Sequence, residues 1–195
     1  MGLRNTSDSW GLLARFFHWT NALVILGLLA FGFFLSNAYN PGDFAKFELV
    51  QLHKSFGFVA FSLAVLRVAW RAFNPPPDLP DKVTGLQKAV VRATHVSLYI
   101  LILLMPLSGW LMSSASPLND ADSYPFQVKN MVFGLFEMPD PIQPGDRALS
   151  DLFAEVHFYA GAALAGIVGL HILGALYHAL VEKDGVMSRM LKGKA

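Results

Sequence analysis

The sequence predicts an all-α integral membrane protein, a bundle of four transmembrane helices, and three observations carry that prediction. Of 195 residues, 54% are hydrophobic and only 15% are charged, where an ordinary soluble domain carries about 25%. Four apolar runs are each long enough to cross a hydrocarbon core of about 30 Å, which takes roughly 20 residues. The runs at 16–35, 93–116 and 156–181 hold no Asp, Glu, Lys or Arg, and the run at 49–70 holds only Lys54 and Arg67. The cations, finally, are unevenly shared between the segments joining these runs. The net charge of +1 leaves no excess to attract nucleic acid. Zero cysteines exclude disulfides and thiolate metal sites, so histidine must hold any metal.

The whole chain, 1–195, reads as a single domain with spans at about 14–36, 49–72, 90–115 and 153–181. The first span is too long for the apolar core of a signal peptide. It also carries His18 and Asn21, and no small-residue cleavage site follows it cleanly. After the second span, Asn74-Pro75-Pro76-Pro77-Asp78-Leu79-Pro80 is a stiff, polyproline-like segment that ends the helix and reads as a spacer. The connection at 116–152 is too long for a minimal turn and contains Pro117, Pro125, Pro139, Pro141 and Pro144. Loops of that length are functional or disordered. Its apolar stretch, Met131-Val132-Phe133-Gly134-Leu135-Phe136, is expected to form a short element lying on the outer surface as a lid.

Basic residues near span ends stay cytoplasmic. With the N-terminus inside, the inner segments hold eleven cations: Arg4, Arg15, Arg67, Arg71, Lys82, Lys88, Arg92, Lys183, Arg189, Lys192 and Lys194. The outer segments hold four: Lys46, Lys54, Lys129 and Arg147. Both termini are therefore expected in the cytoplasm.

All six histidines, His18, His53, His95, His157, His171 and His178, fall inside the predicted spans. Ionisable residues there are costly and face the bundle interior. Any single one is explained by bonding to a nearby carbonyl or by the interface, but six together ask for a function. On the fourth span His157 and His171 are 14 residues apart, 40° short of four full turns and about 21 Å along the axis. They share one face at two depths, and His178 extends the stripe. Gly161 lies on it, while Gly166, Gly169 and Gly174 lie elsewhere; close helix packing is the commoner reason for such glycines, approach of a flat cofactor the other. The first span places His18 level with His171, and the second, running the opposite way, places His53 level with His157. Position alone also allows His95 opposite His171. Paired imidazoles with neither Cys nor carboxylate suit six-coordinate haem iron better than tetrahedral zinc.

Several motifs together are similar to the bacterial cytochrome b561 family. They are Arg15-Phe16-Phe17-His18-Trp19 opening the first span, Gln51-Leu52-His53-Lys54-Ser55-Phe56-Gly57 in the second, and Arg67 to Arg71 closing it. Glu155-Val156-His157 and Gly169-Leu170-His171 follow in the fourth, with the ending His178 to Asp184-Gly185-Val186. The resemblance implies two b haems, ligated by His18 with His171 and by His53 with His157. It also implies a quinone-accessible inner region near His95 and His178, where a neutral imidazole can bond a quinone carbonyl and pass protons. Arg67, Arg71 and Arg92 are available to haem propionates, though snorkelling toward phosphates explains them equally well. Lys54, where cations are scarce, is the stronger propionate candidate.

The resulting expectation is an inner-membrane di-haem cytochrome moving electrons between the quinone pool and an outer partner. Family resemblance implies either superoxide as donor, with quinone reduced, or a periplasmic redox protein or enzyme. The outer segments hold nine acids (Asp43, Glu48, Asp120, Asp122, Glu137, Asp140, Asp146, Asp151 and Glu155) against four bases. That field opposes superoxide unless Lys54 and Lys129 form a local basic funnel. A haem-free proton-relay or transport bundle is the alternative of another class, and it lacks the intramembrane acids a relay uses.

Overall fold

A computed structural model describes residues 2–38, 44–80, 83–119 and 128–193. Asp43, Lys82, Asp120, Asp122, Pro125 and Lys194, named above, lie outside the described residues. The chain is mostly helical, with long helices α1 (Leu12–Ala38), α2 (Phe44–Phe73), α3 (Gly85–Ala115) and α4 (Arg147–Tyr177). A π-helical turn at His178–Glu182 continues α4, and a short helix α5 (Val186–Lys192) follows. The four long helices, α4 with its π turn included, are each apolar and long enough to cross a membrane. They expose large apolar side chains such as Leu23, Phe33, Leu66, Ile100 and Leu173, as a lipid-facing surface does.

The helices outrun the apolar runs because their caps are polar. Thr84 and Gln87 form a capping box before α3: Thr84 N–H donates to Gln87 Oε1 at 2.7 Å, and Gln87 N–H to Thr84 Oγ1 at 3.4 Å. Asp146 Oδ1 accepts Leu149 N–H at 3.0 Å and starts α4 several residues before its apolar run. Within α3, Pro106 follows Met105 and removes one backbone bond from the helix.

Two compact units share the four helices. One comprises Met1–Ala22, Leu63–Leu101 and Ala163–Ala195, the other Leu23–Ser62 and Ile102–Ala162. In the first unit the proline-rich segment is more than a spacer. Asn5 Nδ2 donates to Pro75 O at 2.9 Å, Asp78 N–H to Ser7 O at 2.8 Å, and Arg189 to Asp78 O at 3.0 Å. Arg15 and Trp19 of α1 donate to Met190 O at 3.3 and 3.2 Å, so α5 is held by a cation and an indole at a carbonyl of its last turn.

In the second unit the apolar stretch of the long loop is a small hairpin. Strands β1 (Met131–Val132) and β2 (Phe136–Glu137) pair antiparallel, Met131 with Glu137 and Val132 with Phe136. Phe133 and Gly134 at the turn have φ of 49° and 70°, the left-handed pair a tight hairpin turn needs. An aromatic residue resists that conformation; Phe133 is held in it by donating its N–H to Ser55 Oγ of α2 at 2.8 Å.

Candidate functional site

In the unit of residues 23–62 and 102–162, α2 and α4 bring His53 and His157 together with ring centroids 6.5 Å apart. Two imidazoles on one axis through a metal, each nitrogen ~2 Å from it, place their ring centres roughly 6 Å apart. His157 is fixed from behind: its Nδ1 lies 2.9 Å from Met105 O and 3.2 Å from Ser108 Oγ. A backbone carbonyl can only accept, so Nδ1 carries the proton and Nε2 keeps its lone pair, the arrangement metal-bound imidazoles use. Nδ1 of His53 is buried without a protein partner.

Two glycines make the room these rings occupy. A Cβ built on Gly32 of α1 would lie 3.3 Å from His53 Cε1, and one on Gly109 of α3 would lie 3.0 Å from His157 Cε1. The glycines prominent in the sequence are instead those of α4. Of these, Gly161 meets only the flexible end of Met105, and Gly166, Gly169 and Gly174 would meet nothing within 4 Å, so close helix packing does not account for them. The signal for Gly32 and Gly109 was a glycine inside an apolar run, which does not say which helix faces it.

Lys54, next to His53, sends its ammonium to Lys129 O at 2.7 Å and Ser113 Oγ at 3.2 Å, with Val128 O at 3.5 Å. It ties the chain leading into the hairpin to α2 and α3. Lys129 itself pairs with Glu137 at 3.1 Å. Asp140, counted in the sequence only as one of the outer acids, accepts from Asn130 at 2.6 Å and from Asn119 at 2.7 Å, and clasps the far side of the same loop.

In the other unit, His18 of α1 and His171 of α4 have ring centroids 6.1 Å apart. His95 of α3 is closer to His171, at 5.2 Å, and its Nδ1 bonds Val91 O of its own helix at 2.7 Å. The 6.1 Å separation suits the metal-bridged spacing better than the 5.2 Å one. Arg67 of α2 lies 3.1 Å from His18 Nδ1 and 5.3 Å from the centre of the Tyr99 ring, and Arg71 follows one turn along the same face. Arg92 is exposed on α3. His178 Nδ1 is 2.6 Å from Asp184 Oδ2, and Asp184, 3% exposed, also accepts Val186 N–H at the start of α5. The left-handed residues Lys183 and Gly185 on either side make the turn that returns Asp184 to His178.

Among the described residues no group of three or more His, Cys, Asp or Glu could hold a bare metal ion. Paired imidazoles at this spacing, one with its tautomer fixed to leave Nε2 free, are a donor set that would hold a haem iron, while zinc would lack its third and fourth protein ligands.

Comparison with known proteins agrees with this donor chemistry. The chain is 30% identical over 192 residues to cytochrome b561 homolog 2 of Escherichia coli K12, an alignment covering 98% of this chain and 95% of that protein. It is 24% identical over 177 residues to the probable superoxide oxidase CybB of Yersinia pestis, covering 91% and 92%. The family described as prokaryotic cytochrome b561 matches residues 9–193. With four membrane-spanning helices and a histidine set that fits haem, the chain belongs to the prokaryotic cytochrome b561 family, multi-pass membrane proteins that bind haem b and carry electrons across the membrane.

Proposed function

We propose that this protein is a di-haem cytochrome b that transfers electrons across the bacterial inner membrane between the quinone pool and a redox partner on the periplasmic side, with both termini cytoplasmic. The observation that carries the reading is the pair of histidine separations, 6.1 Å for His18 with His171 and 6.5 Å for His53 with His157. In this reading those four residues would hold the haem irons. Haem b, when bound, supplies a one-electron carrier, and the chain's own residues hold it, set its charge and meet its partners.

His157 is ready to ligate through Nε2 because Met105 O holds the proton on Nδ1. His18 needs one change. Arg67 is a donor only, so where it bonds His18 Nδ1 that nitrogen accepts and Nε2 carries the proton; ligation through Nε2 would require the proton to move to Nδ1. Arg67 then turns to another acceptor, and a haem propionate is the anion it would meet, with Arg71 beside it. Near His53, Lys54 is the cation available to a propionate while it holds the loop at Lys129 O.

His95 and His178 are proposed to serve the quinone. His95 donates a hydrogen bond from Nδ1–H to Val91 O and His178 donates one to Asp184, so each keeps Nε2 to exchange a proton with a quinone oxygen. Asp184 acts through His178 as a positioning residue. The partner opposite the quinone is superoxide or a periplasmic protein, and one relative's name, probable superoxide oxidase, favours superoxide.

Proteoliposomes test the reading. With haem-loaded protein, an impermeant reductant outside and trapped ferricyanide inside, electrons should cross, and His171→Ala or His157→Ala should each stop them. Absence of transfer by the unaltered protein would overturn the proposal. Superoxide generated outside should reduce the haem faster than it dismutates. If it does not, a protein donor remains.

A further inference from the structure

The hairpin of residues 131–137 carries apolar side chains where a water-washed loop would carry polar ones: Phe133 is 44% exposed, Leu135 80% and Phe136 55%. Its base is charged, with Lys129 paired to Glu137 and both about two-fifths exposed. The element is therefore amphipathic along its length, ionic where it leaves the loop and greasy at its tip. We propose that the tip lies in the membrane, with Phe133, Leu135 and Phe136 among the upper acyl chains alongside α2.

Three further observations name lipid as the occupant. The tip is continuous with a lipid-facing surface: the Phe133 ring packs edge-on against Phe56 of α2 at 5.2 Å, and Phe56 is itself 41% exposed within a membrane span. The level is also right. The 30 residues of α2 run about 45 Å, so a centred ~30 Å hydrocarbon core leaves roughly 7 Å projecting at each end. Ser55, which holds Phe133 N–H, stands roughly 17 Å from the start of that helix.

Lastly, most of the hairpin's backbone donors meet the condition that lipid imposes and water does not. Within a bilayer every polar group needs a partner in the protein. Here the strands pair with each other. Phe133 N–H goes to Ser55 Oγ, Leu135 N–H to Val132 O at 2.9 Å, and Met138 N–H to Asn130 O at 2.8 Å. The same condition explains Lys54, an ammonium at this depth whose donors reach the carbonyls and hydroxyl of the loop and of α3. The hairpin is thus a re-entrant plug on α2 that also seals a buried cation.

The chain contains no cysteine, so Leu135→Cys creates a single attachment point for a nitroxide. At 80% exposure Leu135 gives up little packing when replaced, and Phe136→Cys is the second reporter. Labelled, haem-loaded protein in phosphatidylcholine nanodiscs is read by power saturation against oxygen and a water-soluble nickel chelate. Leu66→Cys, 53% exposed in α2, is the lipid control, and Arg147→Cys, with a side chain 85% exposed, is the aqueous one. The oxygen-to-nickel ratio at both hairpin sites should fall within about twofold of the Leu66 value and about tenfold above the Arg147 value, because hydrocarbon excludes a polar complex. A ratio at residue 135 nearer the Arg147 control overturns the proposal and returns the tip to water, where a soluble partner could cover it.

Discussion

Alanine at Gly109 is the smallest change that reaches the proposed axial ligand His157. Its Cβ would stand 3.0 Å from His157 Cε1 and 3.2 Å from Nδ1, whereas carbon contacts are comfortable at about 3.5–4.0 Å. The imidazole must retreat by about half an ångström or more, yet its Nδ1 is tied to Met105 O on the same helix as Gly109. Overpacking of this kind costs about 1–3 kcal/mol, set against about 1 kcal/mol gained by replacing a mid-helix glycine with alanine. Other glycines grade the effect. Gly32→Ala meets His53 at 3.3 Å and should be milder, Gly161→Ala meets the mobile Met105 methyl at 3.4 Å and milder still, and Gly166→Ala meets nothing and should be neutral or slightly stabilising. The assay is haem retention during thermal unfolding, together with the redox titration of the b-type absorbance. Gly109→Ala should lose or shift one component and leave the other in place. If Gly109→Ala and Gly166→Ala behave alike, the packing of His157 against α3 is wrong.

Ligand variants should separate the two histidine pairs: His171→Ala removes one haem and His157→Ala the other, each measured as haem per chain, while His95→Ala keeps both. Loss of a haem in His95→Ala but not in His18→Ala would exchange the partner of His171. Asp184→Asn leaves the size of the side chain but takes the carboxylate from His178, and should slow quinone reduction about tenfold or more with haem content unchanged; equal kinetics would make Asp184 only the cap of α5. Lys54→Met removes the donor to Lys129 O and Ser113 Oγ, and with about 1–3 kcal/mol for each acceptor left buried and unsatisfied, the loop should become cleavable by protease and the protein less heat-stable. Unchanged protease resistance would argue against its role as a tie.

Much of the fold was legible because a bilayer imposes one rule, a run of about 20 apolar residues for each crossing, and all four runs became helices. Helix ends were less so: α4 starts at Arg147, and the Asp146 cap that starts it is a short polar signal outside the apolar pattern. The histidine spacing on one helix could be worked out by rotation, which put His157 and His171 on one face at two depths, while the choice of His18 over His95 as the partner of His171 came from the family resemblance. What the sequence did not reveal depends on contacts between distant segments. Arg67 reaches His18 across 49 residues, Ser55 reaches Phe133 across 78, and Arg15 reaches the end of α5 across 175. The hairpin was expected only as a short lid, since a six-residue apolar stretch does not state its own turn, and an aromatic at positive φ runs against the usual preference. The proline-rich segment read as a spacer for a similar reason: its use as a dock for both chain ends lies in its backbone groups, which composition does not describe.

The central claim is that each chain holds two b haems between paired histidines, and the most direct measurement is the haem-to-protein ratio of the purified protein by pyridine haemochrome, with protein quantified by amino-acid analysis. The account predicts two haems b per chain and a low-spin spectrum. A ratio near one would remove one of the two pairs, and a ratio near zero in protein that remains folded in the membrane would contradict the account.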